Sequence, residues 1–492
     1  MRLLFFKIAL KYVNINRMVQ QRNLRRLLIV TLALTSVFLV FSWIRIIFLF
    51  PINPDGGCYL SVTERIYDGL RPYTDISINY PPVSYYCYLI VRKLFGGGDA
   101  LYRLVLLIVE AASAFVLAAI VKRFFKSTTV ATCSGVVFLF FYLAYDGPWF
   151  VMEPFVNLFS LSAVYFLLNP TLIGAFASGV CLMLSVMSKQ YGFLILPVLS
   201  AMLFIKDTGF DKKGGLLRTL FFAFGFFTAA LTLVYFLHLN VTSFISQISG
   251  QGYVKAGVLN MLTGIFSVRG VWIIGVLALS VIMLLKKYDF YLLIFSVLCL
   301  FHITPLYVRT YAHYFQLCLP YAVILLAYIV KRLFFDEHFQ GKRREALAAV
   351  LVVTLMGPVS AAVYVPLRYA MSITEKNEIL LIAKEINTIV PQRSPALVVN
   401  ATEFYYYCNL YPPTKEEGYH VIYKSGDFGN PFNYKMETIH YVLWFDGDMI
   451  KLQDSRFENY LRLTHKRLKL LKFHDGKRTV EIWGKLDIKT EP

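Results

Sequence analysis

Charge is scarce in this 492-residue chain: Asp, Glu, Lys and Arg make up 16% of it, against 57% apolar and 16% aromatic residues. Soluble globular domains carry about 25% charged residues, so this balance, with a mean hydropathy of +0.58, excludes that class. Cysteine is sparse too. The seven cysteines have no paired spacing, and Cys133, Cys181, Cys299 and Cys318 fall inside apolar runs, so neither a disulfide framework nor a zinc site is indicated. Also missing is a strand leading through a Gly-rich loop into a helix, the usual cradle for a nucleotide. Internal repeats and low-complexity segments are absent as well, which removes solenoids and disordered scaffolds.

Long apolar runs are what the sequence has instead. A bilayer crossing takes roughly 20 mostly apolar residues. Such runs fall at 27–50, 99–121, 128–144, 152–168, 171–187, 191–205, 218–238, 271–285, 290–304, 314–330 and 346–368, which predicts an α-helical polytopic membrane protein with about eleven transmembrane helices. The residues before Leu27 are too many and too basic for a cleaved signal, so the first run is read as a retained helix. Val83 to Leu94 is too short to cross and ends in Arg92-Lys93, which suits an interfacial helix.

The net charge of +19 describes topology rather than a nucleic-acid partner. With a cytoplasmic N-terminus, the inner segments hold 21 Lys and Arg and the outer loops 8, the asymmetry of the positive-inside rule. From residue 369 onward charge is nearly balanced and apolar runs shrink to strand length: Ala396–Val399, Ile439–Trp444, Leu468–Phe473 and Thr479–Trp483. A helical pattern precedes them and turn residues separate them. The expected organisation is a transmembrane module over 1–368 and a small extracytoplasmic α/β domain over 369–492. The chain is read as integral to a membrane, with a bacterial plasma membrane as the expected location.

Polar and irregular sequence gathers on the outer side. Loop 51–98 carries Asn53-Pro54-Asp55-Gly56-Gly57, then Gly69-Leu70-Arg71-Pro72-Tyr73-Thr74-Asp75 and Tyr80-Pro81-Pro82. A carboxylate just past the first helix sits where headgroups end. Partial desolvation there raises carboxylate pKa values, which suits proton abstraction from a hydroxyl or amine. The adjacent glycines are read as a tight turn that lets substrate approach. Later outer turns carry Glu153, Lys189-Gln190-Tyr191, and Arg309 and His313 among Tyr307, Tyr311 and Tyr314.

An aspartate after the first helix, followed by the Pro72-Tyr73-Thr74-Asp75 stretch and the Pro81-Pro82 pair, resembles the first external loop of the GT-C glycosyltransferase superfamily. Within it, the protein O-mannosyltransferase-like and aminoarabinose-transferase-like enzymes are the similar branch. That resemblance implies a sugar donor on polyprenyl phosphate, an extracytoplasmic lipid- or glycan-type acceptor, and Asp55 as general base. The expected substrate-binding residues are Asp75, read either as loop-ordering or as acceptor-binding, together with Tyr80, Glu153, Lys189, Gln190, Arg309 and His313. Tyr80 stands where that branch often has lysine before the prolines, so Lys189 is the expected replacement on the donor phosphate. Arg309 is the other, since arginine meets phosphate oxygens bidentately as leaving-group charge develops. Snorkelling explains a lysine at a helix end equally well, and Arg309 with its tyrosines is also ordinary interface composition. Glu153 reads either as a substrate ligand or as a favourable charge at a helix start. No cofactor or metal is expected, although Asp55 with Glu153 leaves a divalent ion open.

Two ionisable residues, Arg45 and Glu110, lie inside apolar runs. Arg45 is near enough to the boundary to snorkel, whereas Glu110 needs a partner or a cavity. Two other functions compete. A transporter or flippase wants broken helices near the midplane and often two similar halves, and a polysaccharide polymerase or ligase of another fold would place its work in a large central external loop.

Overall fold

The computed structural model describes residues 52–335 apart from short breaks (79, 143–144, 146–149, 207–208, 250–256, 268–269, 287 and 308–310), then most of 373–412, the stretches 440–446, 465–473 and 479–486, and a few isolated positions. The apolar run at 27–50, that at 346–368 apart from three isolated positions, and Arg45 and Arg309 lie outside the described residues.

Each of the other nine runs coincides with helix, because a backbone surrounded by hydrocarbon must satisfy its own hydrogen bonds. The loop region supplies α1 (Pro54–Tyr67) and α2 (Val83–Phe95). Next come α3 (Asp99–Phe125), α4 (Thr128–Tyr142), α5 (Glu153–Leu167) and α6 (Leu172–Val186). A 3-10 turn at Gln190–Ile195 leads into α7 (Leu196–Leu203). A two-stranded hairpin, β1 (Ile205–Lys206) and β2 (Gly209–Phe210), precedes α8 (Lys212–Phe236). Beyond it run α9 (Val241–Ser249), α10 (Gly257–Ile265), α11 (Val271–Lys286), α12 (Phe290–Phe301) and α13 (Phe315–Phe335).

Four segments among the described residues are long and apolar enough to cross a bilayer: Asp99–Phe125, Lys212–Phe236, Phe290–Tyr307 and Phe315–Leu333. Large apolar side chains left exposed along them, such as Phe115, Phe224 and Leu231, face outward as lipid-facing positions do. The protein is an integral membrane protein. Its core centres on α13, whose Leu317 to Leu325 are almost all enclosed by α4, α5, α11 and α12. The amphipathic α2 buries Tyr85, Tyr88 and Leu89 and exposes Ile90, Leu94 and Phe95 beside Arg92 and Lys93, the distribution of a helix lying in an interface.

The C-terminal residues build a four-stranded sheet in the order β3 (Ala396–Val399), β4 (Tyr441–Asp446), β6 (Thr479–Lys485), β5 (His465–Lys472), in which β3–β4 is parallel and the other pairings antiparallel. Two helices, α14 (Ile373–Asn387) and α15 (Glu403–Tyr407), close its core around Ile386, Val398, Phe404, Leu443, Phe445 and Ile482.

The glycines after Asp55 do not make a turn. Gly56 and Gly57 lie inside α1, with Asn53 as its N-cap and Pro54 in the first turn, where proline's fixed φ and missing N–H cost nothing. The chain turns after α1 instead, at Gly69 (φ 95°) and Tyr73 (φ 62°).

Candidate functional site

Three helix ends set the site. Asp55 lies in the first turn of α1 and Glu153 opens α5, so both carboxylates sit where unpaired N–H groups favour negative charge. Lys189 follows the C-terminal end of α6, where exposed carbonyls favour a cation; its own N–H bonds Ser185 O at 3.2 Å. The backbone fields thus hold each charge in place before any side chain meets another.

Glu153 and Lys189 then pair. Lys189 Nζ donates to Glu153 Oε1 at 2.6 Å, with the lysine 2% and the glutamate 0% exposed. Three tyrosine rings surround the ammonium, with centroids at 5.0 Å (Tyr314), 5.1 Å (Tyr80) and 5.5 Å (Tyr191), so part of its lost hydration is replaced by π faces. Burial alone lowers a lysine's pKa. The Glu153 carboxylate, helped by Tyr191 and Asp55, overrides it and holds Lys189 above the usual lysine value. His313, on the 3-10 turn before α13, brings Nε2 to 4.0 Å from Glu153 Oε1 and stacks on Tyr311.

Asp55 belongs to the same cluster: its charge acts on both Lys189 and Tyr59. Tyr59, one turn further along α1, meets Tyr80 and Tyr85 edge-on at 5.6 and 6.1 Å. Burial first, then Tyr80, Asp55 and Glu153, push the Tyr59 phenol well above its usual range, so it is a fixed hydrogen-bond donor at neutral pH. Unlike buried Glu153, Asp55 keeps partial exposure.

Five predicted residues therefore converge: Asp55, Tyr80, Glu153, Lys189 and His313. Gln190, next to Lys189, begins the 3-10 turn and is half-buried. Asp75 lies apart from the cluster. It bonds the N–H, Nε (both 3.0 Å) and Nη2 (3.3 Å) of Arg71, closing the 71–75 turn as a loop-ordering residue. Arg309 falls outside the described residues. Glu110 is buried in α3, where its charge reaches Tyr88.

The sequence reading gave Tyr59, four residues after Asp55, no role of its own, and it missed a second layer beneath the cluster. In it, Tyr142 donates to Gln316 Oε1 (2.5 Å), Gln316 Nε2 to Tyr145 O (2.6 Å), and Asn157, one turn below Glu153, donates to Gln316 O (2.9 Å). The polar residues at i, i+4 and i+7 on α5 (Glu153, Asn157, Ser160) carried the available signal, since an inward polar stripe on an apolar helix needs partners. Among the described residues no group of three or more His, Cys, Asp or Glu is placed to hold a metal.

No family model and no curated protein sequence matches the chain. Among solved structures it is similar to ArnT from Cupriavidus metallidurans bound to undecaprenyl phosphate, at a TM-score of 0.57 and 12% identity, over 92% of this chain and 97% of that one. It is also similar to the oligosaccharyltransferase of Archaeoglobus fulgidus tethered with an acceptor peptide, at 0.47 and 11%, over 84% of this chain and 69% of that one. The chain has the GT-C fold.

Proposed function

We propose that the chain is a membrane glycosyltransferase that moves a monosaccharide from a polyprenyl-phosphate carrier to an extracytoplasmic acceptor, with Asp55 as general base. The observation that carries this reading is the convergence, at one end of an apolar bundle, of a partly exposed carboxylate with a fully buried Glu153–Lys189 pair. In the proposed step Asp55 takes the acceptor's hydroxyl or amine proton as the acceptor atom bonds the anomeric carbon. The bond from that carbon to the carrier's phosphate oxygen breaks, and polyprenyl phosphate leaves. Its growing charge requires cations. Lys189 has two further N–H donors beyond the one given to Glu153, and Arg309 stands four residues before His313 in the sequence. Glu153, His313 and the tyrosines hold the lysine in place. Eleven crossings, a cytoplasmic N-terminus and an extracytoplasmic C-terminal domain complete the reading.

Reconstituted protein is expected to turn over lipid-linked sugar and to ignore a nucleotide sugar supplied alone; activity with the nucleotide sugar would sink the proposal. Asp55→Asn keeps shape and hydrogen bonding but loses basicity, so turnover is expected to fall by about 10²–10⁴ while binding of the lipid donor survives. Near-normal turnover in that variant would move the reading to a polymerase of another mechanism.

A further inference from the structure

The C-terminal sheet domain touches α1 at three places along a helix about 21 Å long. Ahead of it, the N–H of Ile52 donates to the hydroxyl of Tyr407 at 2.8 Å. Within it, Gly57 meets α15 so closely that a Cβ there would lie 2.2 Å from Glu403 Cα and 2.9 Å from Glu403 N. At its end, the C-cap Asp68 takes a 2.9 Å ion pair from Arg393 and a hydrogen bond from the Tyr411 hydroxyl. Arg65 of α1 lies 6.0 Å from the Tyr411 ring centroid, and Tyr406 packs on Tyr102 of the neighbouring α3.

The helix is held on its other side by the membrane bundle. Asn53 uses its side-chain oxygen to accept from Phe150 N at 3.0 Å, so its N-cap group serves the bundle rather than α1 itself. Gly56 would place a Cβ 2.5 Å from that of Phe150. Consecutive glycines thus seat α1 between two bodies, Gly56 toward the bundle and Gly57 toward the sheet domain. Glycine is among the poorest residues for a helix interior, and Gly57 has ordinary helical backbone, so its conformation does not call for glycine. The approach of the α15 backbone does.

From this we infer that the C-terminal domain is the positioning element for Asp55, and that Gly57 and Tyr407 are positioning residues of the transfer reaction. The inference rests on the reading of Asp55 as base. Asp55 stands between the two contacts, two residues before Gly57 and three after Ile52. A side chain at 57 must drive α15 and α1 apart by more than an ångström, and the carboxylate moves with the first turn. Misplacing a reacting group by about that much costs on the order of 10²-fold in rate.

The test uses the full-length protein in lipid, comparing Gly57→Ala and the milder Tyr407→Phe with wild type. Turnover of lipid-linked sugar is expected to fall about tenfold or more in Gly57→Ala and severalfold in Tyr407→Phe. Binding of undecaprenyl phosphate stays within twofold in both. Amide hydrogen exchange is expected to speed up together in 53–60 and 403–407. In an Asp55→Asn background, Gly57→Ala should slow the residual turnover no further, because the group it positions no longer acts as a base. Unchanged turnover, a full multiplicative loss on top of Asp55→Asn, or a loss of turnover without faster exchange in both segments would each overturn the inference. The two ideas fail separately: near-normal turnover of Asp55→Asn itself removes the base, whereas the exchange result reports on the contact whether or not Asp55 is catalytic.

Discussion

Two ion pairs of this molecule differ in kind. Glu153–Lys189 is sealed in the bundle, 0% and 2% exposed, between helix ends of matching polarity and three aromatic rings. Lys469–Glu385, on the sheet domain, has a similar length of 2.7 Å but leaves its side chains 43% and 52% exposed. Distance alone would rank them as equals. Desolvation separates them: burying two charges costs several kcal/mol per ion, repaid only through good geometry, whereas a solvated pair contributes little. Replacing a buried ion pair by well-packed apolar residues is often neutral for stability, so such a pair is weak evidence of a device for holding a fold. Its place beside Asp55 and His313 is what a reaction centre explains.

The sharpest way to break that contrast is to strand one buried charge. Lys189→Ala or Glu153→Ala leaves its partner unpaired and is expected to destabilise the protein by about 3–5 kcal/mol, read as a lower melting temperature in detergent. The double replacement Lys189→Met with Glu153→Leu should recover most of that loss and still give no turnover. A double variant as unstable as either single one would mean the pair is structural, and a double variant that turns over would remove both residues from the site.

Much of this contrast was legible in the sequence. Apolar runs of crossing length became helices because lipid leaves the backbone no other way to satisfy its hydrogen bonds. Glu153, Lys189 and His313 stood out because polar residues interrupt apolar sequence only where something compensates them. Their pairing was not legible: 36 positions separate Glu153 from Lys189, and only the antiparallel packing of α5 on α6 brings the end of one beside the start of the other. The glycine pair was misread for a related reason. Asn-Pro-Asp-Gly-Gly has turn chemistry, but Asn followed by Pro and an acid also starts helices, and what decides is α15, more than 340 residues away. Asp75 had two readings, loop-ordering or acceptor-binding, and its bonds to Arg71 match the first of them.

Glu64, at the end of α1 that faces away from Asp55, accepts from Arg92 Nε at 2.8 Å and from Tyr102 OH at 2.7 Å, and the ion pair is 25% and 20% exposed. Glu64→Ala removes two charge-assisted hydrogen bonds at a half-open site. A loss of about 1–2 kcal/mol is expected in the same melting assay, below the buried singles. Because Glu64 lies outside the cluster, donor binding should be unaffected. A loss as large as that of Glu153→Ala would mean that exposure does not set the scale.

The smallest effect belongs to Lys469–Glu385, and pH gives it a direction. The hydrogen bond and charge of Lys469 lower the pKa of the Glu385 carboxyl from its usual value. A carboxylate with a depressed folded-state pKa stabilises the fold above its unfolded pKa, and that contribution disappears as pH falls through the lower, folded value. Both groups are solvated, so the contribution is small and salt screens it. Glu385→Gln is therefore expected to leave the melting temperature near that of wild type at pH 7 and moderate salt. Any gap should narrow as the pH is taken below the usual carboxylate range, and should narrow likewise in high salt. Glu153→Gln differs in the salt arm, since ions do not reach a sealed pair. If added salt closed the Glu153→Gln gap as readily as the Glu385→Gln gap, Glu153 would be open to water and the distinction between the two pairs would be lost.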